Sequence, residues 1–373
     1  MREFINGAEA IVKGAIDAGC DFFAGYPITP ATPILLQMSS LLPRVGGIAI
    51  QAEDEISALG FCIGAALTGA RAMTATSGPG ISLFSEQIGM AIMVEVPVVI
   101  VDCQRMGPST GGATTGAQGD VQFLRWGTSG GYPVIVLAPT NVTDCYNLTL
   151  RAFDLAERFR TPVFLATDKD TVLNRTTVDK SEFDDVVVRD RINAPADVEY
   201  VPYRFDRPAE VPAMSSFGGP HIVRLTSSSH DERGYLIKDA PNIERINQHL
   251  SAKILESVGE ISHVHLDLQE GAETVIISYG SASLAATEAV EIARSLGVRV
   301  STLIVYSLWP VPEREIQSVL QGVTRVVVPE MNTGLYKREI ERLARDHQEV
   351  IGVNRVDGGQ ITPFEILDRG GIQ

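Results

Sequence analysis

Strand-like apolar runs alternate with helix-like segments over residues 1–168, and this alternation restricts the fold more than any other feature. The run at residues 96–102 is almost continuously apolar, as is typical of a parallel strand covered on both faces. Between such runs apolar residues recur at helical spacing, for example in a predicted helix over residues 5–19. The pattern predicts an α/β fold with a mainly parallel sheet and helices on both of its faces.

The alternation stops after residue 168 and resumes near residue 273. The intervening segment is rich in acidic residues, proline, glycine and serine, and it contains one short predicted helix at residues 242–257. We therefore predict a first domain at residues 1–180, an extended connector without its own core at residues 181–260, and a smaller α/β domain at residues 261–373.

Charge and hydropathy exclude two classes of partner. The 373-residue chain has a formal net charge of −15, which argues against nucleic acid and against an anionic membrane surface. No stretch approaches the ~18 apolar residues of a membrane span. The first residues enter a predicted helix directly and lack the apolar region of a signal peptide. We expect a cytoplasmic protein.

Cysteine and histidine spacing predicts no metal-ligating residues in this chain. No two cysteines form a C-x-x-C pair, and the six histidines lack metal-site spacing. Free core thiols in a reducing compartment are expected instead. The cysteines are Cys20, Cys62, Cys103 and Cys145.

Three carboxylates, Glu53, Asp54 and Glu55, stand between a short strand and an uncharged helix. The helix, at residues 56–70, is apolar enough to be buried on every side. The positive end of a helix stabilises an ionised carboxylate, whereas apolar burial favours the neutral form. A Glu balanced between these effects is suited to general acid/base chemistry. The alternative is a capping cluster in which Asp54 or Glu55 binds first-turn N–H groups.

Two loops follow predicted strands at the edge where open α/β sheets bind ligands. The first, Tyr26-Pro27-Ile28-Thr29-Pro30, is stiffened by proline, although a simple strand–helix turn has the same composition.

The second loop, residues 104–120, carries no charge between Arg105 and Asp120. Arg105 could hold a carboxylate, with the Ser109 and Thr110 hydroxyls as further donors. It could instead pair with Asp102 or Asp120 and only secure the loop.

Two further turns lack the features of a binding motif. The sequence Gly78-Pro79-Gly80 is not G-x-G-x-x-G, which argues against a dinucleotide site and against a stand-alone nucleotide-binding module. The segment at residues 329–332 (PEMN) is interpreted as a strand-end turn.

The order of these motifs resembles one enzyme family. Seven motifs follow the order found in alpha subunits of 2-oxoacid:ferredoxin oxidoreductases. They are YPITP at residues 26–30, Glu55 before its helix, TSGPG at 76–80, QRMGPST at 104–110, QGD at 118–120, LWP at 308–310 and PEMN at 329–332. The resemblance is greatest to the 2-oxoglutarate branch. It implies a pyrimidine-binding domain of thiamine-diphosphate enzymes, followed by a smaller domain like the transketolase C-terminal domain.

The resemblance also implies roles for individual residues. Glu55 would bond the aminopyrimidine of thiamine diphosphate and act catalytically, with the cofactor also against Tyr26, Pro27 and Ile28. Thr29 and Arg105 would hold the 2-oxo and carboxylate groups of the substrate. Ser109 and Thr110 would add donors.

The implied reaction is oxidative decarboxylation of a 2-oxo acid, with electrons passed to ferredoxin and the acyl group to coenzyme A. The Gly-Asp-Gly motif that holds the cofactor's diphosphate and metal does not occur in the sequence. The resemblance therefore implies a beta subunit that carries the diphosphate site, Mg²⁺ and a [4Fe-4S] cluster, and it leaves room for further small subunits. Two alternatives stay open: a branched-chain or aryl 2-oxoacid enzyme, and a non-catalytic assembly subunit.

Overall fold

The computed structural model describes residues 2–184 and 186–372. Its strands are β1 (Arg2–Asn6), β2 (Phe22–Gly25), β3 (Ile48–Gln51), β4 (Ala72–Thr76), β5 (Val98–Gln104), β6 (Ile135–Leu137), β7 (Pro162–Asp168), β8 (Arg175–Asp179), β9 (Val264–Asp267), β10 (Thr274–Ser278), β11 (Val300–Val305), β12 (Ser307–Trp309), β13 (Arg325–Glu330) and β14 (Glu349–Asn354). Its α-helices are α1 (Gly7–Asp17), α2 (Thr32–Leu41), α3 (Glu55–Leu67), α4 (Gly78–Leu83), α5 (Ser85–Met93), α6 (Val121–Trp126), α7 (Val142–Phe159), α8 (Lys169–Leu173), α9 (Ala240–Leu255), α10 (Val258–Ile261), α11 (Ala282–Ser295), α12 (Glu313–Val319), α13 (Lys337–Leu343) and α14 (Pro363–Arg369).

The first sheet has the strand order β12-β6-β7-β5-β4-β2-β3, and β12 alone runs antiparallel to its neighbour. Every residue of the central strands β5 and β7 is buried. Helices α3, α4 and α5 contribute to the apolar cluster on one face, and α1, α2 and α7 to the cluster on the other. The mainly parallel α/β architecture predicted from the alternation is confirmed.

The chain starts with a strand where the apolar spacing predicted the first turns of a helix. Strand β1 pairs antiparallel with β8. Helix α1 begins only at Gly7, because the Asn6 side chain accepts a hydrogen bond from the Glu9 N–H and the Glu9 carboxylate accepts one from the Asn6 N–H. The prediction of a helix from residue 5 was wrong because the partner strand lies about 170 residues away along the chain.

The second sheet has the order β14-β13-β10-β11-β9, with only β9 antiparallel. Strand β12, which follows β11 directly, leaves this sheet and extends the first one beside β6. The two sheets therefore share a continuous apolar core that includes Val136, Leu308 and Tyr336. This sharing brings the loop after β13 close to the loops after β4 and β5.

The segment between the sheets is largely irregular until α9. Its buried apolar residues, such as Phe205, Met214 and Leu250, belong to the same cluster as the core of the first sheet. On α9, Lys253 donates to the buried Glu95 carboxylate at 2.7 Å, and His249 lies 3.0 Å from the same oxygen. The domain limits 1–180, 181–260 and 261–373 remain a proposal. Strand β12 lies within residues 261–373 but belongs to the first sheet, so the sheets do not follow these limits.

The four cysteines are buried free thiols, as predicted. Burial raises the pKa of Cys62 to about 12, and the other three thiols are raised in the same direction. Over residues 2–184 and 186–372, no helix combines the length and the apolar character needed to cross a membrane.

Candidate active site

Glu55 is the first residue of α3 and is 8% exposed. The capping role falls to its neighbour, because the Asp54 carboxylate accepts a hydrogen bond of 2.7 Å from the Ser57 N–H. This bond lowers the pKa of Asp54. Among the residues described, the Glu55 carboxylate has no hydrogen-bond or ionic partner. A buried carboxylate at a helix N-terminus is thus available to a ligand.

The turn after β4 packs directly against Glu55. Gly80 lies so close that an added Cβ would overlap the Thr76 hydroxyl oxygen and stand 2.8 Å from Glu55 Cγ. A side chain at position 80 would therefore displace Glu55 or Thr76. The TSGPG turn and the first residue of α3 are therefore in direct contact in the structure.

Helix α3 is not buried on every side, contrary to the expectation from its composition. Ile56 is 47% exposed and Phe61 is 46% exposed. Both point away from the core that contains Leu59, Cys62 and Ile63. Composition cannot distinguish an apolar face buried inside the chain from one left on its surface.

The loop from Tyr26 to Pro30 follows β2 at the carboxyl edge of the first sheet. Tyr26, Pro27 and Thr29 are exposed and Ile28 is half-buried. The Thr29 carbonyl accepts a hydrogen bond of 2.6 Å from Arg105 Nη1, so the structure joins this loop to the one after β5.

Arg105 is 7% exposed and lies immediately after β5. Its Nε is buried without a partner. Within the described part of the chain it forms no ion pair within 4.0 Å, so the direct pairing with Asp102 or Asp120 that would only secure the loop is absent. The guanidinium keeps donors for an anionic ligand.

A cavity of about 490 Å³ lies between the two sheets. The turn after β4, the loop after β5 and the segment after β13 line it, and the predicted residues Arg105 and Ser109 are part of its wall. Glu55, Thr110 and residues 26–29 do not line this cavity. Thr29 is joined to it through Arg105, and Glu55 lies behind the turn that contains Gly80.

Two aspartates near Arg105 were considered from sequence only as its ion-pair partners. Asp102 is completely buried in β5, and Asp120 lines the cavity. Neither Asp102 oxygen accepts a hydrogen bond from a donor in the described residues. The signal available in the sequence was an aspartate at the end of an otherwise apolar strand.

The PEMN segment secures the loop after β5. The Asn332 amide donates to the Gln118 carbonyl at 2.8 Å, and the Met331 N–H donates to Gln118 Oε1 at 3.2 Å. The Glu330 carboxylate accepts from the N–H groups of Tyr336 and Lys337, both at 2.8 Å. The interpretation as a strand-end turn is correct, and the turn also holds the cavity wall.

Within residues 2–184 and 186–372, no group of three or more His, Cys, Asp or Glu side chains could hold a metal ion. Glu55 does fit the pyrimidine half of thiamine diphosphate, because its buried carboxylate has no partner among the described residues.

The fold and the carboxylate at the start of α3 define a class, the proteins that bind the pyrimidine half of thiamine diphosphate. The domain described as "Pyruvate flavodoxin/ferredoxin oxidoreductase, thiamine diP-bdg" matches residues 13–248, and "Pyruvate:ferredoxin oxidoreductase core domain II" matches residues 272–366. The chain belongs to this oxidoreductase family. It is a subunit of a thiamine-diphosphate-dependent enzyme.

Named relatives match nearly the whole length of this chain. The 2-oxoglutarate synthase subunit KorA of Methanothermobacter thermautotrophicus is 42% identical over 98% of this chain and 97% of its own. The ketoisovalerate oxidoreductase subunit VorB of the same organism is 34% identical over 98% and 96%. The solved 2-oxoglutarate:ferredoxin oxidoreductase of Magnetococcus marinus, with 2-oxoglutarate, coenzyme A and succinyl-CoA bound, is 31% identical with a TM-score of 0.91. The chain described here is covered completely but spans only 65% of that longer chain.

Proposed function

We propose that the chain is the alpha subunit of a 2-oxoacid:ferredoxin oxidoreductase that converts 2-oxoglutarate and coenzyme A to succinyl-CoA and CO2 and passes electrons to ferredoxin. One observation carries the proposal. Among the described residues, the buried Glu55 carboxylate has no partner, and Arg105 in the wall of the nearby cavity forms no ion pair. The choice of 2-oxoglutarate is supported by the higher identity to KorA than to VorB.

In this proposal Glu55 accepts and returns a proton at the aminopyrimidine of thiamine diphosphate. Because Glu55 has no partner among residues 2–184 and 186–372, both carboxylate oxygens are available for that bond, and the close approach of Gly80 restricts the Glu55 side chain. Tyr26, Pro27 and Ile28 form the adjoining wall. When bound, thiamine diphosphate supplies the electron sink for cleavage of the carbon–carbon bond.

The substrate is held by Arg105, Thr29, Ser109 and Thr110. The Arg105 guanidinium binds a carboxylate of the oxo acid, because the guanidinium is buried in the cavity wall and a charge-assisted bond to it is strong. The Thr29 hydroxyl binds the 2-oxo group, and the hydroxyls of Ser109 and Thr110 serve the distal part of the substrate. The Thr29 carbonyl accepts a hydrogen bond from Arg105, so the two residues are held next to each other.

Replacement of Arg105 by Ala is expected to raise KM for the oxo acid by about 10- to 100-fold, the effect of losing one hydrogen bond to a charged group. The turnover number should change less, because Arg105 binds the substrate and does not transfer a proton. Steady-state kinetics of the purified complex measure both constants. Arg105→Lys is the matched control, because lysine keeps the positive charge but lacks the planar, forked N–H donors of arginine. Loss of folding in Arg105→Ala would instead assign Arg105 a structural role.

The active site needs a second chain. An exposed apolar face on α3 supports this, because Ile56 and Phe61 are about half exposed and Leu83 on the adjacent α4 is 48% exposed. Such a face is typical of an interface between subunits. We infer that a beta subunit covers it and contributes the diphosphate site, Mg²⁺ and a [4Fe-4S] cluster. Ferredoxin and coenzyme A complete the reaction, and further small subunits fit the same scheme.

Introducing a charge on the exposed face tests the subunit interface. Phe61→Glu is expected to weaken association with the beta subunit by at least about tenfold, because the glutamate would be buried without a partner. Affinity purification of the tagged chain from its host measures how much second subunit is retained. The control is Leu296→Glu, at an exposed position that is 74% accessible at the end of α11. Equal recovery with both variants would contradict the assignment of the interface.

The proposed function is tested by anaerobic purification of the complex and by coenzyme-A-dependent reduction of ferredoxin or a viologen dye. A panel of 2-oxo acids distinguishes the alternatives. Activity confined to 2-oxoglutarate supports the proposal, whereas activity with branched or aryl oxo acids assigns the chain to the related branch. If no oxo acid is turned over and no thiamine diphosphate is bound, the chain is a non-catalytic assembly subunit.

A further inference from the structure

The cavity wall contains a pair of carboxyl groups that the proposed function does not use. Asp102 is completely buried, and neither of its oxygens has a hydrogen-bond donor among the described residues. Asp120 borders the cavity, but its Oδ2 is buried and also lacks a donor. Buried polar oxygens without a partner are rare in folded proteins.

Both carboxyl groups lie at the carboxyl end of β5. Asp102 and Gln104 are two residues apart on this strand, so their side chains share one face, and the Asp120 N–H donates to Gln104 Oε1 at 3.0 Å. The Asp120 carboxyl acts on the pKa of Asp102 as a hydrogen-bonding neighbour. An ionised carboxylate carries no donor, so this contact needs a proton between the two groups. Burial and the neighbouring Asp120 raise the pKa of Asp102 well above its ordinary value. Burial raises the pKa of Asp120 to about 6, against the opposing effects of Asp102 and Arg105.

Arg105 lies close enough to Asp120 for its positive charge to lower the pKa of that carboxyl. The guanidinium nevertheless forms no ion pair within 4.0 Å in the described part of the chain, and it donates instead to the Thr29 carbonyl. A fully ionised Asp120 next to a buried guanidinium would compete with any anionic ligand for the same donors.

We propose that Asp102 and Asp120 share one proton, and that this proton leaves Arg105 free to bind the carboxylate of the substrate. The inference rests on the proposed function, which assigns Arg105 to an anionic oxo acid. With the proton in place, the pair carries one negative charge instead of two, and Asp120 is held toward Asp102. Both aspartates are positioning residues, because they act through Arg105.

Other charged or titratable groups approach the pair from the neighbouring elements. Arg105 faces it from the loop after β5, and Asp168 lies on β7 opposite Gln104. From β4, Thr76 stands opposite Asp102 in the sheet and separates it from Glu55. Cys103 follows Asp102 in β5 and remains a neutral thiol, since burial raises its pKa well above the ordinary value. Among these groups, Arg105 provides the positive charge.

The first test replaces the acid that holds the proton inside the sheet. In D102A, no proton donor remains beside Asp120, so its carboxylate is free to compete for Arg105. KM for the oxo acid is expected to rise about tenfold in D102A, the effect of a coupling of one pKa unit between two charges. D102N keeps a donor and the single negative charge of the pair, so its KM should stay near the wild-type value. The turnover number should be retained. D120N removes the competing charge, so its KM should stay near the wild-type value.

The control is D170N, because Asp170 is a half-buried aspartate near the same loop whose carboxylate already accepts from Lys169. Infrared spectra of the same complexes provide a readout that is independent of turnover. The C=O band of a protonated carboxyl should be lost in D102A and in D102N but retained in D170N. If D102A does not fold, the spectra of the wild type and D102N decide.

Equal KM values in D102A and D170N, or a carboxyl band unchanged in D102N, would overturn the shared proton. The failure of the proposed function has a different signature. If Arg105→Ala leaves KM unchanged, then Arg105 does not bind the substrate. If Arg105→Ala raises KM and D102A does not, only the inference about the aspartate pair is wrong.

Discussion

Glu55→Gln is expected to lower the turnover number of the assembled enzyme by about 10²- to 10⁴-fold, the contribution of one general acid/base group. The amide keeps the size of the side chain, so the contact with Gly80 and the folding of α3 should be preserved. Binding of thiamine diphosphate should weaken less than turnover, because an amide still offers an oxygen and an N–H to the aminopyrimidine. Single-turnover and steady-state kinetics of the complex measure the loss.

Glu53→Gln is the matched control. Glu53 belongs to the same cluster of carboxylates two residues away, but it is exposed. Its amide variant should retain turnover. If both variants are equally active, the catalytic role of Glu55 is wrong. If Glu55→Gln unfolds the chain, its carboxylate is needed for structure instead. Glu55→Ala should lose turnover to a similar extent and lose the packing against Gly80 as well.

Lys253→Met is expected to destabilise the chain by about 3–5 kcal/mol, because it leaves the buried Glu95 carboxylate without its closest cation. Burial alone would raise the pKa of Glu95, but Lys253 and His249 lower it below its ordinary value of 4.5. In the wild type, the pair therefore contributes stability above the pKa of an unfolded Glu, and this contribution is lost as the pH falls further into the acid range.

Urea unfolding at several pH values measures the effect. The loss of unfolding free energy in Lys253→Met should become smaller at acid pH, because protonation of Glu95 removes the unpaired charge from the interior. Glu95→Gln in the Lys253→Met background should recover part of the stability for the same reason. The control is Lys337→Met, which removes a partly exposed ion pair with Glu341 four residues along α13. If Lys253→Met and Lys337→Met lower the unfolding free energy by similarly small amounts, the contacts of Glu95 with Lys253 and His249 are not important for stability.

Local patterns in the sequence predicted the positions of most strands and helices. The apolar run at residues 96–102 became the central strand β5, and the helix expected at 242–257 is α9. Both predictions depend on the hydrophobic pattern within one segment, and burial of the apolar side chains stabilises that segment in the predicted conformation. The strand β1 was missed because its hydrogen bonds go to β8, and β12 leaves the second sheet for the first. Contacts between distant segments leave no period in the sequence.

For the candidate site as well, the sequence predicted some features and missed others. The motif spacing singled out Glu55, Arg105 and the loop at residues 26–30, and the structure joins Arg105 to that loop through the Thr29 carbonyl. It separates Thr110 and Glu55 from the wall of the cavity. The contact between Asp102 and Asp120 was not predictable, because it depends on how the loop after β5 folds back over the strand. Likewise, the exposed face of α3 has the composition of a buried helix.

The sequence by itself determined the alternating α/β class, the free thiols and the family, because each depends on residue type and order along the chain. Only the tertiary structure decided which carboxylates are paired, which cation is free and which apolar face is exposed. Those properties depend on distances between groups that are far apart in the chain. They arise only when the turn after β4, the loop after β5 and the segment after β13 meet.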